Sequence, residues 1–177
     1  MTSKTAALLG VAVAVFGVDR IGKYQAMSRL EVGESTPLLG ELLSLTHVES
    51  LGAALGLFAN WSPGGRAFAF VALSAICTGL VLSFHRGLAR WEKGSAAALG
   101  AILAGVLSNA FDRFQFGVGI DFLHLGAVES THLPNFNFAD VAIFLGVLAL
   151  IVELLATEMA TRAQERPRRS RSSDNPH

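Results

Sequence analysis

Residues 67–84 read AFAFVALSAICTGLVLSF, eighteen consecutive residues without a charge. A helix that crosses a bilayer needs about 20 residues, with a usable range of roughly 17–25, so this run reaches spanning length by itself. Three further apolar stretches flank it: Ala6 to Val18, Ala96 to Phe111, and Val141 to Val152 with continuation to Ala156. Each spans only if its helix runs on through a polar residue: Asp19 and Lys23 in the first, Asp112 in the third, Asp140 and Glu153 in the fourth. Lipid offers the backbone no hydrogen-bond partners, which favours helices for all four. The composition agrees, with 51% hydrophobic and 16% charged residues in a chain of 177, where soluble domains carry about 25% charge. The expected fold is an all-α membrane protein with four transmembrane helices.

Lysine and arginine set the orientation. With the N-terminus inside, Lys4, Arg86, Arg90, Lys93, Arg162, Arg166, Arg168, Arg169 and Arg171 face the cytoplasm, nine of the fourteen basic residues. Arg20, Lys23, Arg29, Arg66 and Arg113 stay with the outer segments, among acids that include Asp19, Glu31, Glu34, Glu49, Asp112, Asp121 and Asp140. Trp61 and Trp91 fall at opposite interfaces, where indole rings prefer to sit. Both termini are expected inside, in a multi-pass protein of the bacterial inner membrane. Residues 1–161 form one domain and 162–177 a basic, disordered cytoplasmic tail beside anionic lipid. A cleaved signal peptide at the N-terminus is the weaker reading, because Asp19 and Arg20 follow Val18 where small residues are needed. Cys77, the single cysteine, lies in an apolar run and reads as a small hydrophobe.

The two outer segments are long. Met27 to Gly65 exceeds a simple turn, and its Leu42–Val48 stretch suggests a small β element between helices 1 and 2. Ser62-Pro63-Gly64-Gly65 is a turn signal ahead of the second span. Phe114 to Phe138 is punctuated by Gly117, Gly119, Gly126 and Pro134. The inner connection, His85 to Gly94, is short and basic. This weighting places the work on the outer face.

Two acids adjoin apolar helices on that face: Asp112 ends the third stretch and Asp140 begins the fourth. Each follows an asparagine by three residues, Asn109 and Asn137. Residues three apart share a helical face, so Asn109 is expected to orient Asp112, and Asn137 to cap the fourth helix. Two carboxylates in a poorly hydrated site cannot easily both ionise, and the pair shares a proton. That arrangement suits peptide hydrolysis by water, one partner taking a proton and the other polarising the carbonyl. The chemistry calls for no metal and no cofactor, and no zinc, thiol, serine-elbow or phosphate-loop motif competes. The plain alternative is that both acids simply cap helix ends. A small transporter is a third reading, weakened by how little apart from Ser74, Thr78 and Glu153 is polar within the spans.

These residues resemble a known family. Asn109-Ala110-Phe111-Asp112-Arg113, with Gly117-Val118-Gly119-Ile120-Asp121-Phe122 after it, looks like the first-aspartate segment of lipoprotein signal peptidase (signal peptidase II). Phe136-Asn137-Phe138-Ala139-Asp140 looks like the segment carrying the second. Asp19-Arg20-Ile21-Gly22-Lys23 is similar to the Asp-x-x-x-Lys motif that ends the family's first helix, and Gly52-Ala53-Ala54 resembles its Gly-Ala-Ala core. The motifs stand in family order from residue 6 to about 157.

The resemblance implies an aspartyl endopeptidase that cleaves diacylglyceryl-modified prolipoproteins just before the lipidated cysteine. Asp112 and Asp140 are then the catalytic pair. Asn109, Arg113, Asn137, Gly52 and Ala54 contact substrate, and Asp19, Lys23 and Asp121 give structural support. The implied partners are the prolipoprotein and membrane lipids, with no nucleic acid and no second subunit, and the family's inhibitor is globomycin. The chain departs from the pattern at Ser50, where asparagine is usual, and at Leu55, where phenylalanine is usual. The reading is therefore a divergent copy with altered substrate preference or weaker globomycin binding. Its alternative is an inactive paralogue that binds lipoprotein or inhibitor without turnover.

Overall fold

A computed structural model describes residues 2–40, 42–51, 60–126 and 135–173, with side chains described as far as residue 163. Four helices follow the four apolar stretches: α1 (Ser3–Arg29), α2 (Pro63–Gly87), α3 (Lys93–Phe116) and α4 (Phe138–Ser173). All four are long and apolar enough to cross a membrane. Local chemistry marks their ends. Thr2 accepts from the Thr5 N–H at the start of α1, and Ser62 accepts from the Gly65 N–H at the start of α2. Pro63 occupies the first turn of α2, where its missing N–H has no helical partner to lose. The Ser-Pro-Gly-Gly signal thus opens this helix. Gly117 stops α3 at φ +76°, a left-handed conformation that glycine adopts without steric penalty.

Helix α3 is the axis of the bundle and packs against each of the other three. In lipid no hydrophobic force drives helices together, so close backbone approach between small residues matters more. Ala96, Gly100, Ala104, Gly105 and Ser108 supply that approach. A Cβ on Gly100 would strike the backbone of Leu8 in α1, and one on Gly105 would lie 2.5 Å from the Ala139 carbonyl in α4. Helix α2 is peripheral; among its residues only Phe70 and Val81 are buried, and Phe68, Val71, Ile76 and Phe84 face outward. At the end of the bundle holding the N-terminus, Lys4 Nζ donates to the His85 carbonyl at 2.8 Å, and Ser3 Oγ to Arg90 O at 2.8 Å. A cation at the last carbonyls of α2 satisfies groups that a helix end leaves open. The N-terminus and the α2–α3 turn therefore share one end, and Trp61 and Trp91 flank opposite ends of α2.

The β element is larger than one hairpin. Strands β1 (Ser35–Leu39), β2 (Leu43–Ser50), β3 (Gly119–Leu125) and β4 (Asn135–Phe136) form an antiparallel sheet in that order, so the α1–α2 and α3–α4 connections both contribute. Leu45 pairs with Leu123, Val48 with Asp121 and Ser50 with Gly119. The sheet docks on α1 through Phe122 and Leu123, which pack with Ala26. Gly22 makes this possible, since a Cβ there would come within 2.6 Å of Phe122 Cε2. At the far end of the chain, α4 continues through the basic segment to Ser173 with no break at the boundary expected at residue 162.

Substituting Gly105→Ala should force α3 from α4 and lower stability by about 1–3 kcal/mol, the usual range for overpacking. Gly10 has nothing within 4 Å of its built Cβ, so Gly10→Ala should leave the unfolding temperature level or slightly raised. Thermal unfolding of both variants in the same detergent measures the difference.

Candidate active site

The site begins with a charged residue inside an apolar helix. Asp19 and Lys23 lie one turn apart in α1, well before its end at Arg29, and neither has any exposed surface. The helix-end role expected for them is therefore corrected: they sit inside the bundle. A buried ion is costly unless it is paired and fully hydrogen-bonded, and these are. Lys23 Nζ lies 2.6 Å from Asp19 Oδ2, 2.6 Å from Asp112 Oδ2 and 3.2 Å from Asn109 Oδ1. An ammonium has three donors, and here each has an acceptor. Asp19 also receives Ser108 Oγ at 2.6 Å from α3 and the Ala139 N–H at 3.0 Å from α4. One carboxylate thus joins three helices and caps the N-terminus of the fourth span.

Asp112 is enclosed. It has no exposed surface, its Oδ2 is held by Lys23, and its Oδ1 is held by Arg20 of α1. The Ile120 N–H points at Oδ2 from 3.5 Å. Arg20 was not singled out from the sequence. Its guanidinium lies over the rings of Phe111 and Phe16, with Cζ 5.1 and 6.0 Å from their centroids. An arginine within an apolar helix, three residues from Lys23, was the signal available for it.

A different pair of acids faces outward. Asp121 on β3 and Asp140 in the first turn of α4 are each only partly buried. Asn137 links them. Its Nδ2 donates to Asp121 Oδ1 at 2.8 Å, and its backbone N–H donates to Asp140 Oδ2 at 3.3 Å. Its Oδ1 accepts the Asp140 N–H at 3.0 Å, completing a reciprocal capping box. The capping expected of Asn137 is what the structure has. Asn109 corrects the other expectation: its Nδ2 donates to Asp140 Oδ1 at 2.8 Å, across to α4, rather than to Asp112 one turn along. Its Oδ1 accepts from Lys23 and, at 3.3 Å, from Asn137 Nδ2, so the amide has one orientation that suits all its neighbours. Arg113 donates to the Asn109 carbonyl at 2.9 Å and stacks on Phe70 of α2 at 4.0 Å. Gly119 leaves it room, since a Cβ there would be 3.0 Å from Arg113 Nη2. Gly52, Ala54 and Leu55 lie outside the described residues. Ser50 ends β2 opposite Gly119, two residues before Asp121.

Burial pushes the Asp121 carboxyl up from 3.8 to about 6, and the Asp140 carboxylate beside it adds to the effect. The Asn137 hydrogen bond and the cations Lys23 and Arg113 pull the other way. Chemically, the arrangement offers two hydrogen-bonded carboxylates open to water, one of them able to carry a proton near neutrality. A buried, neutralised charge cluster supports them from behind.

Residues 11–156 match the family model described as signal peptidase (SPase) II. The chain is similar to proteins named lipoprotein signal peptidase from two bacteria in particular. It is 34% identical to that of Desulforapulum autotrophicum over 82% of this chain and 89% of the other. It is 33% identical to that of Brevibacillus brevis over 81% and 91%. Among solved structures it resembles a bacterial membrane enzyme determined at 2.3 Å by the in meso method, with a TM-score of 0.74, 27% identity, and coverage of 84% of this chain and 87% of that one.

Lys23→Met should leave Asp19 and Asp112 buried with one cation between them and destabilise the fold by about 3–5 kcal/mol. Adding Asp112→Asn should restore part of that loss, which thermal unfolding of single and double variants would reveal as non-additivity. A second expectation concerns pH. Below about 4 the Asp121 carboxyl is protonated in both folded and unfolded chains, and above about 6 it is ionised in both. Between them the unfolded chain ionises first, so this group costs stability as pH rises from about 4 to 6. The unfolding temperature of Asp121→Asn relative to wild type should therefore climb across that window and level off above it.

Proposed function

The chain belongs to the signal peptidase (SPase) II family, and from that premise we propose that it is an aspartyl endopeptidase that cuts diacylglyceryl-modified prolipoproteins immediately before the lipidated cysteine. The working pair is Asp121 and Asp140. The observation that carries this is the contrast in surroundings: Asp121 and Asp140 are partly open and share Asn137, while Asp112 is closed between Arg20 and Lys23. A carboxylate that must meet water and a scissile carbonyl needs access to both, and Asp112 has none. We accordingly assign Asp112, read from the sequence as the first catalytic acid, to the charge cluster behind the site, and Asp121 to the chemistry.

The two carboxylates share one proton. The ionised member takes a proton from a water molecule as that water attacks the carbonyl. The protonated member donates a hydrogen bond to the carbonyl oxygen and then supplies a proton to the leaving amine. Asn137 and Asn109 hold three of the four carboxylate oxygens, which keeps their positions during transfer. This preorganisation lowers the cost of aligning water and peptide. Arg113, four residues from the cluster's Asn109 contact and stacked on Phe70, braces the substrate side. Both termini are cytoplasmic in this reading and the pair faces the outer leaflet, from which a lipidated substrate enters. One chain supplies every group, so a monomer suffices.

Purified wild type should convert a diacylglyceryl-prolipoprotein to the shorter form on a gel. Asp121→Asn and Asp140→Asn should each slow that conversion by about a hundred- to ten-thousandfold while unfolding near the wild-type temperature. Asp112→Asn should instead lower the unfolding temperature and keep measurable cleavage in its folded fraction. A folded Asp121→Asn that cleaves normally, beside an inert and equally folded Asp112→Asn, would return the assignment to Asp112. Absence of cleavage by folded wild type on several such substrates would favour an inactive relative that binds lipoprotein.

A further inference from the structure

We propose that Arg20 is a positioning residue for this reaction: by holding one oxygen of Asp112 it leaves Lys23 able to hold Asn109, whose amide in turn orients Asp140. The inference rests on Asp121 and Asp140 being the working pair.

Four buried or nearly buried charges form one balanced group. Asp19 and Asp112 are the anions, Lys23 and Arg20 the cations, and Arg20 keeps 20% of its side-chain surface. Lys23 cannot neutralise both carboxylates. It lies 2.6 Å from each of them, and its third and longest contact, 3.2 Å, goes to Asn109. Without Arg20, Asp112 would carry an uncompensated buried charge. The response with least movement draws the ammonium toward Asp112 and off Asn109, because that contact is the weakest of the three. Asn109 Oδ1 then keeps only the 3.3 Å bond from Asn137, and the Nδ2 donor on Asp140 is no longer fixed. Arg20, Asp112, Lys23, Asn109 and Asp140 therefore form a chain of direct contacts from the α1–α3 seam to the reacting carboxylate.

The side chain is suited to this task. Its plane packs over Phe111 and Phe16 while one Nη reaches Asp112, and a second, longer contact of 3.9 Å goes to Asp19 Oδ2. A flat, permanently charged group can stack on rings and bond a carboxylate at the same time. These contacts lie on the α1–α3 seam, so Arg20 acts through Asp112 and not on the substrate. It is not a catalytic residue.

The test compares Arg20→Gln, Arg20→Lys, Asp112→Asn and the double variant Arg20→Gln/Asp112→Asn. The assay is cleavage of the diacylglyceryl-prolipoprotein, with unfolding temperature measured alongside. Arg20→Gln should lower kcat by about ten- to a hundredfold, the scale of a small misplacement of reacting groups, with KM changed by less than about twofold. Its acid-side pH limb should move to higher pH, because one cation has been removed behind a pair that shares a proton. Arg20→Lys should recover most of kcat. The double variant removes one charge of each sign, returns Lys23 to Asn109, and should cleave faster than either single variant with the wild-type pH profile.

A folded Arg20→Gln with wild-type kcat and pH profile overturns the proposal. So does a folded double variant no faster than Arg20→Gln, since the loss would then come from the missing side chain itself. If Arg20→Gln does not fold, Arg20→Lys and the double variant decide the matter, and a folded double variant slower than Asp112→Asn counts against it. Running Asp121→Asn and Asp140→Asn in parallel separates a failure here from a failure of the pair: both must be inert for the comparison to concern Arg20.

Discussion

Lys23 is the constraint on which the rest depends. An ammonium buried among apolar helices is stable only where anions and acceptors converge on all of its donors, and that requirement dictates the arrangement around it. Asp19 comes from its own helix, Asp112 and Asn109 from α3. Asp19 then reaches α4 through the Ala139 N–H. The small residues of α3 let the backbones approach closely enough for these bonds to form. Packing and electrostatics are thus conditions for one another: the glycines permit the distances, and the charges make any other register costly.

The sheet solves a different problem. A carboxylate that is to meet water has to be rigid and yet wet, and a site wholly inside the bundle would be dry. Strand β3 leaves the end of α3 at Gly117 and returns along α1, where Phe122 and Ile120 are buried and Asp121, between them in sequence, is partly open. The alternation of a strand puts neighbouring side chains on opposite faces. One face anchors the strand and the other presents the acid to Asp140. Asn137 locks the two together from the first turn of α4. This division leaves the buried cluster as a rigid backing and the paired carboxylates as its exposed edge.

Much of this was legible in the sequence, and the limits of that legibility are instructive. The four spans follow from the length of apolar runs, and the cap at Asn137 follows from an asparagine three residues ahead of Asp140. Asp112 and Asp121 were not separable by the same logic. Both are aspartates that follow the same apolar stretch, Ala96 to Phe111, and local spacing offers no measure of which one meets a cation. Asn109 misled for a related reason: spacing of three favours a partner on the same helix, but the stronger acceptor for its amide lies on another. Arg20 reads in the sequence only as one of the charges beside the first span, because its partner Asp112 lies 92 residues away.

The sequence by itself determined that the chain crosses a membrane four times, that its acids gather at one end, and which family its motifs resemble. Those features depend on residue type and on separation along the chain, and both are written in the sequence. Only the tertiary structure decided which carboxylate is buried and neutralised and which is open, and that Asn109 serves Asp140. A carboxylate's role depends on its solvation and on the charges within a few ångströms. Here those neighbours come from α1, α3, α4 and β3, which lie far apart in the chain and meet only when it is folded.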